Sequence, residues 1–312
     1  LNGADDTLYA YGGTFSGGSP VTLDKKTVAV FRDCSAWFHY YCAFDTTESV
    51  AADRVKLYIN GTQITDAGAG GGYSPNTIPG LNVDTFFGNT TDPFTVGGGS
   101  AGGSAFDGYM AEFIFVDGSV PAVTEFGEFD EDSPTIWRPK DPSEATITWG
   151  TNGLWLDFKD SADFGNDVSG QGNDMTANGL AAADQAVDSP TNNFATLNPL
   201  LRSLTNPTAL SEGNCKSVLV GSSNADWAGG STLGVSSGKW YWEVKVPTLG
   251  SSLIGITDNP AEVVASTTEE LTWDVAIGYG YKGSDGYKRI NETGTQVASA
   301  YGDTYDNTNI IG

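Results

Sequence analysis

The chain has 312 residues, with 39 Asp and Glu against 15 Lys and Arg and one His, giving a net charge of -24. Affinity for nucleic acid comes mainly from Lys and Arg on phosphates, and anionic membranes attract the same side chains; with no basic run here, both partners are excluded. A hydrophobic content of 39% supports real cores, the length suggests about two domains of ~150 residues, and no apolar run approaches the ~20 residues needed to insert through a bilayer.

Residues 1 to 20 have neither a basic start nor an apolar core, so they do not read as a secretory signal. The chain starts without Met and stops at Asn309-Ile310-Ile311-Gly312, where a strand pattern begins. A piece of a longer polypeptide is therefore expected. Thr27 to Phe31 and Arg54 to Ile59 read as strands, rich in β-branched and aromatic residues. Asn60-Gly61 then separates Lys56-Leu57-Tyr58-Ile59 from Gln63-Ile64, the strongest hairpin signal in the chain. Residues 66 to 105 contain Gly-rich pieces that read as long loops, and Asp107-Gly108 and Asp117-Gly118 are further turn candidates. Residues 127 to 150 carry an acidic and then a Pro-spaced run, the composition of a connector. Residues 150 to 200 are polar. Trp240 to Val246 reads as a strand with Trp240 and Trp242 on one face, as core residues. Glu262 to Leu271 is the one mildly helical stretch, and Asp285-Gly286 is another turn. Short strands joined by Gly- and Asp-rich turns argue for an all-β chain of antiparallel β-sandwiches. Cys34 and Cys42 could pair only if the fold juxtaposes them, which leaves Cys215 over; free thiols are the simpler reading.

Three segments carry resemblances. Ala36-Trp37-Phe38-His39-Tyr40, Phe44-Asp45-Thr46-Thr47, Arg54 to Gly61 and Phe106 to Phe113 resemble the laminin-G-like, concanavalin A-like jelly roll. Ser237-Gly238-Lys239-Trp240-Tyr241-Trp242-Glu243-Val244, Ile254-Gly255-Ile256 and Gly278-Tyr279-Gly280-Tyr281 resemble a SPRY domain. Thr124 to Asp132, Trp137-Arg138-Pro139-Lys140, Gly153 to Phe158, Asp167 to Asp174 and Asp188 to Pro199 resemble a connector of tail-fibre-like and other structural proteins of marine bacteriophages. The resemblances imply a laminin-G-like sandwich over 1-123, N-terminally incomplete, and a connector over 124-150. They imply a SPRY-like sandwich with a polar N-terminal segment over 151-312, C-terminally incomplete.

His39 is the sole histidine, so a His-based metal site or a Ser-His-Asp triad has little to build on; a half-buried strand residue is the reading. Alternation places Trp37, His39 and Tyr41 on one face. Some concanavalin A-like folds are hydrolases with a Glu-x-Asp-x-x-Glu strand, and Glu128-Phe129-Asp130 begins that pattern. Ser133 stands where the second Glu belongs, so a solvated acidic turn is expected. Asp and Asn oxygens suit calcium, and Asp157, Asp160, Asp163 and Asp167, with Asp174, form a dense run without EF-hand spacing. Laminin-G-like sandwiches sometimes hold one calcium ion at a loop rim, so calcium is the candidate cofactor; Asx turns explain the same residues without metal. The Gly-rich runs lack the Lys-Ser/Thr of a phosphate loop. Trp227, Trp273, Tyr279, Tyr281 and Tyr287, near turns of the SPRY-like part, are the candidate ligand-binding residues, because sugar C–H faces stack on such rings.

The implied function is adhesion without catalysis, by a tail fibre or receptor-binding protein at the virion surface that binds a host surface glycan or protein receptor. Contact with other virion proteins and a homo-oligomer, a trimer by fibre analogy, follow from the same resemblance. The alternatives are a capsid or tail decoration protein, a bacterial cell-surface carbohydrate-binding adhesin and, weakest, a polysaccharide hydrolase.

Overall fold

The computed structural model describes the chain apart from residues 1–5, 14–20, 32–35, 67–71, 84–93, 99–105, 107, 203–207, 220–228, 249–251, 259–277 and 292–295. The mildly helical stretch and the Asp107-Gly108 turn fall wholly or partly outside the described residues. Among the described residues the fold is all-β: every sheet pairing is antiparallel, and helical geometry is confined to 3₁₀ turns of three residues. The chain divides into two compact units, Leu1–Gln185 with Ser189–Asn193, and Ala186–Asp188 with Phe194–Gly312.

The first unit contains β1 (Thr7–Gly13), β2 (Val21–Val30), β3 (Tyr40–Phe44), β4 (Val55–Ile59), β5 (Thr62–Gln63), β6 (Tyr73–Thr77), β7 (Phe113–Phe115), β8 (Gly127–Phe129), β9 (Trp137–Pro139) and β10 (Leu154–Leu156). They pair as β1-β2-β6, β3-β4-β5, β7-β10 and β8-β9. Alternation along β4 turns Val55 and Leu57 inward, where they are fully buried with Leu23 and Tyr73. The other face of β4 carries Lys56 and Tyr58, directly opposite Ala43 and Tyr41 of β3.

The inward positions of β2 are Leu23, Lys25 and Thr27, while Val28 and Val30 are exposed. The polar pair is tolerated because its groups are bonded. The Lys25 ammonium donates to Val55 O at 3.0 Å and lies 4.1 Å from the centre of the Tyr73 ring. Burial pushes the Lys25 pKa down. Thr27 Oγ1 accepts from Leu8 N–H and donates to Ala29 O.

The hairpin signal is realised at β4-β5. Ile59 faces Thr62, Asn60 and Gly61 have φ of 47° and 71°, and the two residues form the loop. Asn60 also ties back to the start of β3: its Oδ1 accepts from His39 N–H at 2.7 Å, and its N–H donates to His39 O at 2.9 Å. The Asp285-Gly286 signal is realised too, with Gly286 at φ 70° and its N–H donating to Lys282 O.

Residues 124–150, expected as a connector, lie within the first unit and fold there as β8-β9. The physical reason is the Trp137 indole. It stacks on His39 with ring centres 5.9 Å apart, meets Phe129 edge-on at 5.0 Å, and fills the space where Cβ atoms at Gly61 and Gly127 would stand. Phe126, buried beside it, packs against His39 and Tyr41. Residues 151–185, expected in the second module, also belong here. Strand β10 pairs with β7, with Trp155 opposite Ile114, and the Trp155 indole N–H donates to Glu112.

The second unit contains β11 (Leu197–Arg202), β12 (Thr208–Ser211), β13 (Lys216–Leu219), β14 (Gly229–Ser231), β15 (Val244–Lys245), β16 (Leu253–Thr257), β17 (Gly278–Lys282), β18 (Tyr287–Asn291), β19 (Gln296–Ala300) and β20 (Ile310–Ile311). Its largest sheet runs β16-β17-β18-β19. The expected strand from Trp240 is shortened to β15, which pairs with β20. Trp240 and Trp242 are not core residues: no described strand pairs with 240–243, and the two residues are 67% and 40% exposed. Tyr305 is the buried large hydrophobic residue among the described residues of this unit. Its hydroxyl donates to Ser252 O at 2.9 Å, and its ring lies 5.3 Å from that of Tyr281.

Gly61 combines a positive φ with contact to Trp137, whereas Gly118, at φ 76°, has open space around its Cβ position. Gly118→Ala should cost about 1–2 kcal/mol, the left-handed backbone penalty alone. Gly61→Ala should cost more, because the indole must also move. Urea unfolding of the two variants measures the difference; equal losses would mean that Trp137 does not press on the turn.

Candidate functional site

The outer face of β3 and β4 forms the floor of a groove of about 180 Å³, walled by residues 120–123. Direct partners share a face, so Tyr41 and Tyr58 lie side by side there, ring centres 5.4 Å apart at 74°. The Tyr41 hydroxyl donates to Pro121 O at 2.5 Å, fastening the wall to the floor. Burial pushes its pKa up to about 12, so it remains a donor at neutral pH. Asp45, Glu48, Asp53 and Lys56 line the groove as well. Asp45 is held below the usual carboxylate pKa by the Thr47 hydroxyl and N–H, both bonded to its Oδ1. Lys56 pairs with Asp53 at 3.1 Å.

The loop bearing Glu48 is braced by Arg54. Its guanidinium donates to the carbonyls of Glu48, Ser49 and Pro79 at 2.8, 3.2 and 3.0 Å. None of these groove residues was singled out as a binding residue by sequence. The available signal was the alternation of Tyr41 and Tyr58 opposite the core face.

Of the aromatic residues singled out, Trp227 and Trp273 lie outside the described residues. Tyr279 and Tyr281 share one face of the β16-β19 sheet, and Tyr287 lies on the other. Tyr281 packs against Tyr301 and Tyr305, and its hydroxyl donates to Asp303 O. Tyr279 and Tyr287 are exposed residues, the latter with the Arg289 guanidinium 5.5 Å from its ring centre. The register aligns Ile256, Tyr279, Ile290 and Val297 in one row across all four strands, with Ile256, Tyr279 and Val297 exposed.

The four aspartates considered for calcium do not converge. Among the described residues no group of three or more His, Cys, Asp or Glu could hold a metal ion. Asp157, Asp160 and Asp163 each accept from the N–H two residues on. Asp167 is buried and accepts four bonds, from Trp155 N–H, Ser169 N–H, the Ser169 hydroxyl and Asn173 N–H, all at 2.9 Å. Burial alone would raise its pKa, but these donors outweigh it and hold the carboxyl below its usual value. In turn, Asp167 N–H donates to Asp174.

Glu128 and Asp130 do not form a carboxylate pair. Glu128 is exposed and pairs with Lys140 at 3.3 Å, while buried Asp130 caps Asp132 and Ser133 N–H and pairs with Arg138. Cys42 and Cys215 are free and exposed, and Cys34 lies outside the described residues. His39 is half-buried; its Nδ1 and the Trp137 Nε1 are buried with no hydrogen-bond partner, and burial pushes the imidazole pKa down. Compared with protein-family models, with curated proteins and with solved structures, the chain matches none.

Two outcomes follow from these groups. Asp167→Asn puts an amide among four donors and should cost about 1.5–3 kcal/mol in urea unfolding, whereas Asp160→Asn at an exposed turn should stay within about 0.5 kcal/mol. An imidazole with a lowered folded-state pKa stays neutral while the unfolded chain takes up a proton. Its contribution is therefore fully present above the ordinary value of ~6.5 and is lost as pH falls below it. Stability should decline from about pH 7 to 5.5, and His39→Phe should flatten that decline; an unchanged slope would place its origin elsewhere.

Proposed function

We propose that the chain is a surface protein of a bacteriophage virion, a tail-fibre or receptor-binding adhesin that binds a host surface glycan or protein without catalysis. In this reading its two units are β-sandwiches, laminin-G-like and SPRY-like, repeated in a homo-oligomer that is a trimer by fibre analogy. Rigid β frames present ligand-binding residues on their faces and loops, and several copies on one particle raise avidity without new contacts. The resemblance of the three segments supplies the virion assignment. The observation that carries the binding reading is the row of Ile256, Tyr279, Ile290 and Val297, with three of its four side chains exposed. Contiguous exposed apolar surface marks an interaction site more often than chance. The same row favours a second reading, a head or tail decoration protein whose sheet face packs on another virion protein.

Immunogold microscopy of an infected culture with antibody to this chain separates the readings. Gold at fibre tips, together with slowed phage adsorption in the presence of the purified chain, is the expected result. Gold along the head or tail shaft, without competition, would replace adhesion by decoration. Gold confined to uninfected cell surfaces would overturn the virion assignment and leave a bacterial adhesin.

A further inference from the structure

The groove between the outer face of β3-β4 and residues 120–123 is a second place where this chain can hold a ligand. It lies wholly within the first unit, and its lining includes none of the residues that the sequence pattern nominated for binding. Its volume of about 180 Å³ is well under the ~300–1,000 Å³ of pockets for drug-sized molecules. One ring fits, and an oligomer would have to continue into solvent.

The lining is chemically mixed. Tyr41 and Tyr58 offer ring surface, and their mutual edge-to-face packing fixes both planes. Tyr41 is further fixed by its bond to Pro121 O. Around them stand three carboxylates, Asp45, Glu48 and Asp53, and one ammonium, Lys56. A purely apolar ligand would leave these polar groups dehydrated and unmatched. A ring with one C–H face and several hydroxyls satisfies both parts: the face stacks on tyrosine and the hydroxyls bond to carboxylate and ammonium.

Charge narrows the choice. The groove carries three acids against one base, within a chain of net charge -24. A ligand carboxylate, sulfate or phosphate is repelled, whereas a protonated amine meets both carboxylates and aromatic faces. The rim is also held in place before any ligand arrives, because Arg54 binds the carbonyls of Glu48, Ser49 and Pro79. Preorganisation of this kind lowers the entropy cost of binding.

We propose that this groove binds a single sugar residue that carries no anionic group, and that an amine-bearing residue binds more tightly than its neutral counterpart. From the proposed function this takes only that the ligand is a surface sugar; it does not depend on where the chain sits in a virion.

The test uses the full chain with isotope-labelled backbone amides, titrated with methyl glucoside, methyl glucosaminide and glucuronic acid. Saturable shifts at the amides of residues 41–58, 120, 122 and 123 are expected with the first two sugars, stronger for the glucosaminide, and none with glucuronic acid. Tyr58→Ala should weaken binding about tenfold while the other amide signals keep their dispersion. Asp45→Asn, which retains an acceptor for Thr47, should reduce the preference for the glucosaminide more than it reduces glucoside binding. No saturable shift with any of the three sugars would overturn the proposal. So would equal binding of glucuronic acid, or undiminished binding by a folded Tyr58→Ala chain. Loss of phage competition with sugar binding intact would instead count against the virion reading alone.

Discussion

The first unit depends on one side chain being admitted by two residues that have none. The Trp137 indole occupies the space above Gly61 and Gly127, against His39 and Phe129. No larger residue at either glycine leaves that space. From this contact follows the docking of β8-β9, and with it the seating of Phe126 on His39 and Tyr41. Residues 120–123 run directly into that seat. The wall of the groove is therefore tied at two points, by the Phe126 packing after it and by the Tyr41 bond to Pro121 within it.

A different device orders the polar stretch that follows. Here the buried apolar residues of β10, Leu154, Trp155 and Leu156, are joined by a buried carboxylate. Asp167 gathers N–H groups from β10 and from residues 169 and 173, and Asn173 reaches the carbonyls of Thr151 and Gly153. The result orients Trp155, which then stacks on Trp149 at 6.0 Å and bonds to Glu112. Burial raises the Glu112 pKa, even with the indole N–H donating to it. A chain rich in Asp and Asn can thus fold through locally satisfied turns, with few long-range apolar contacts.

Local chemistry was readable in the sequence and long-range packing was not. Asn60-Gly61 and Asp285-Gly286 announced their turns because left-handed backbone narrows the choice of residue to a few types. The inward and outward faces of β4 followed from a period of two. Trp137 read as part of a connector because its partners, His39 and Gly61, are far away in the chain and nothing near it is apolar in a regular pattern. The alternation at Trp240 and Trp242 suggested burial, yet burial requires a covering layer, which alternation alone does not supply. Val28 and Val30 teach the same lesson on β2, where Lys25 and Thr27 take the interior because their polar atoms find partners there. The groove was legible only as two tyrosines of like parity; its wall comes from a segment whose role no local pattern encodes.

The bond from Tyr41 to Pro121 also sets how this protein can be recombined. A crossover at residue 123 looks natural from composition, since it separates a strand-rich segment from an acidic, Pro-containing one. Such an exchange would carry the tyrosines and the wall into a new chain but leave behind Phe126 and Trp137, which pack against Tyr41 and His39. A crossover near residue 185 moves floor, wall and clamp together. The unit that carries the groove intact is therefore longer than the unit suggested by the strands, and shuffled descendants that keep the shorter piece would keep its hairpin without a fixed groove wall.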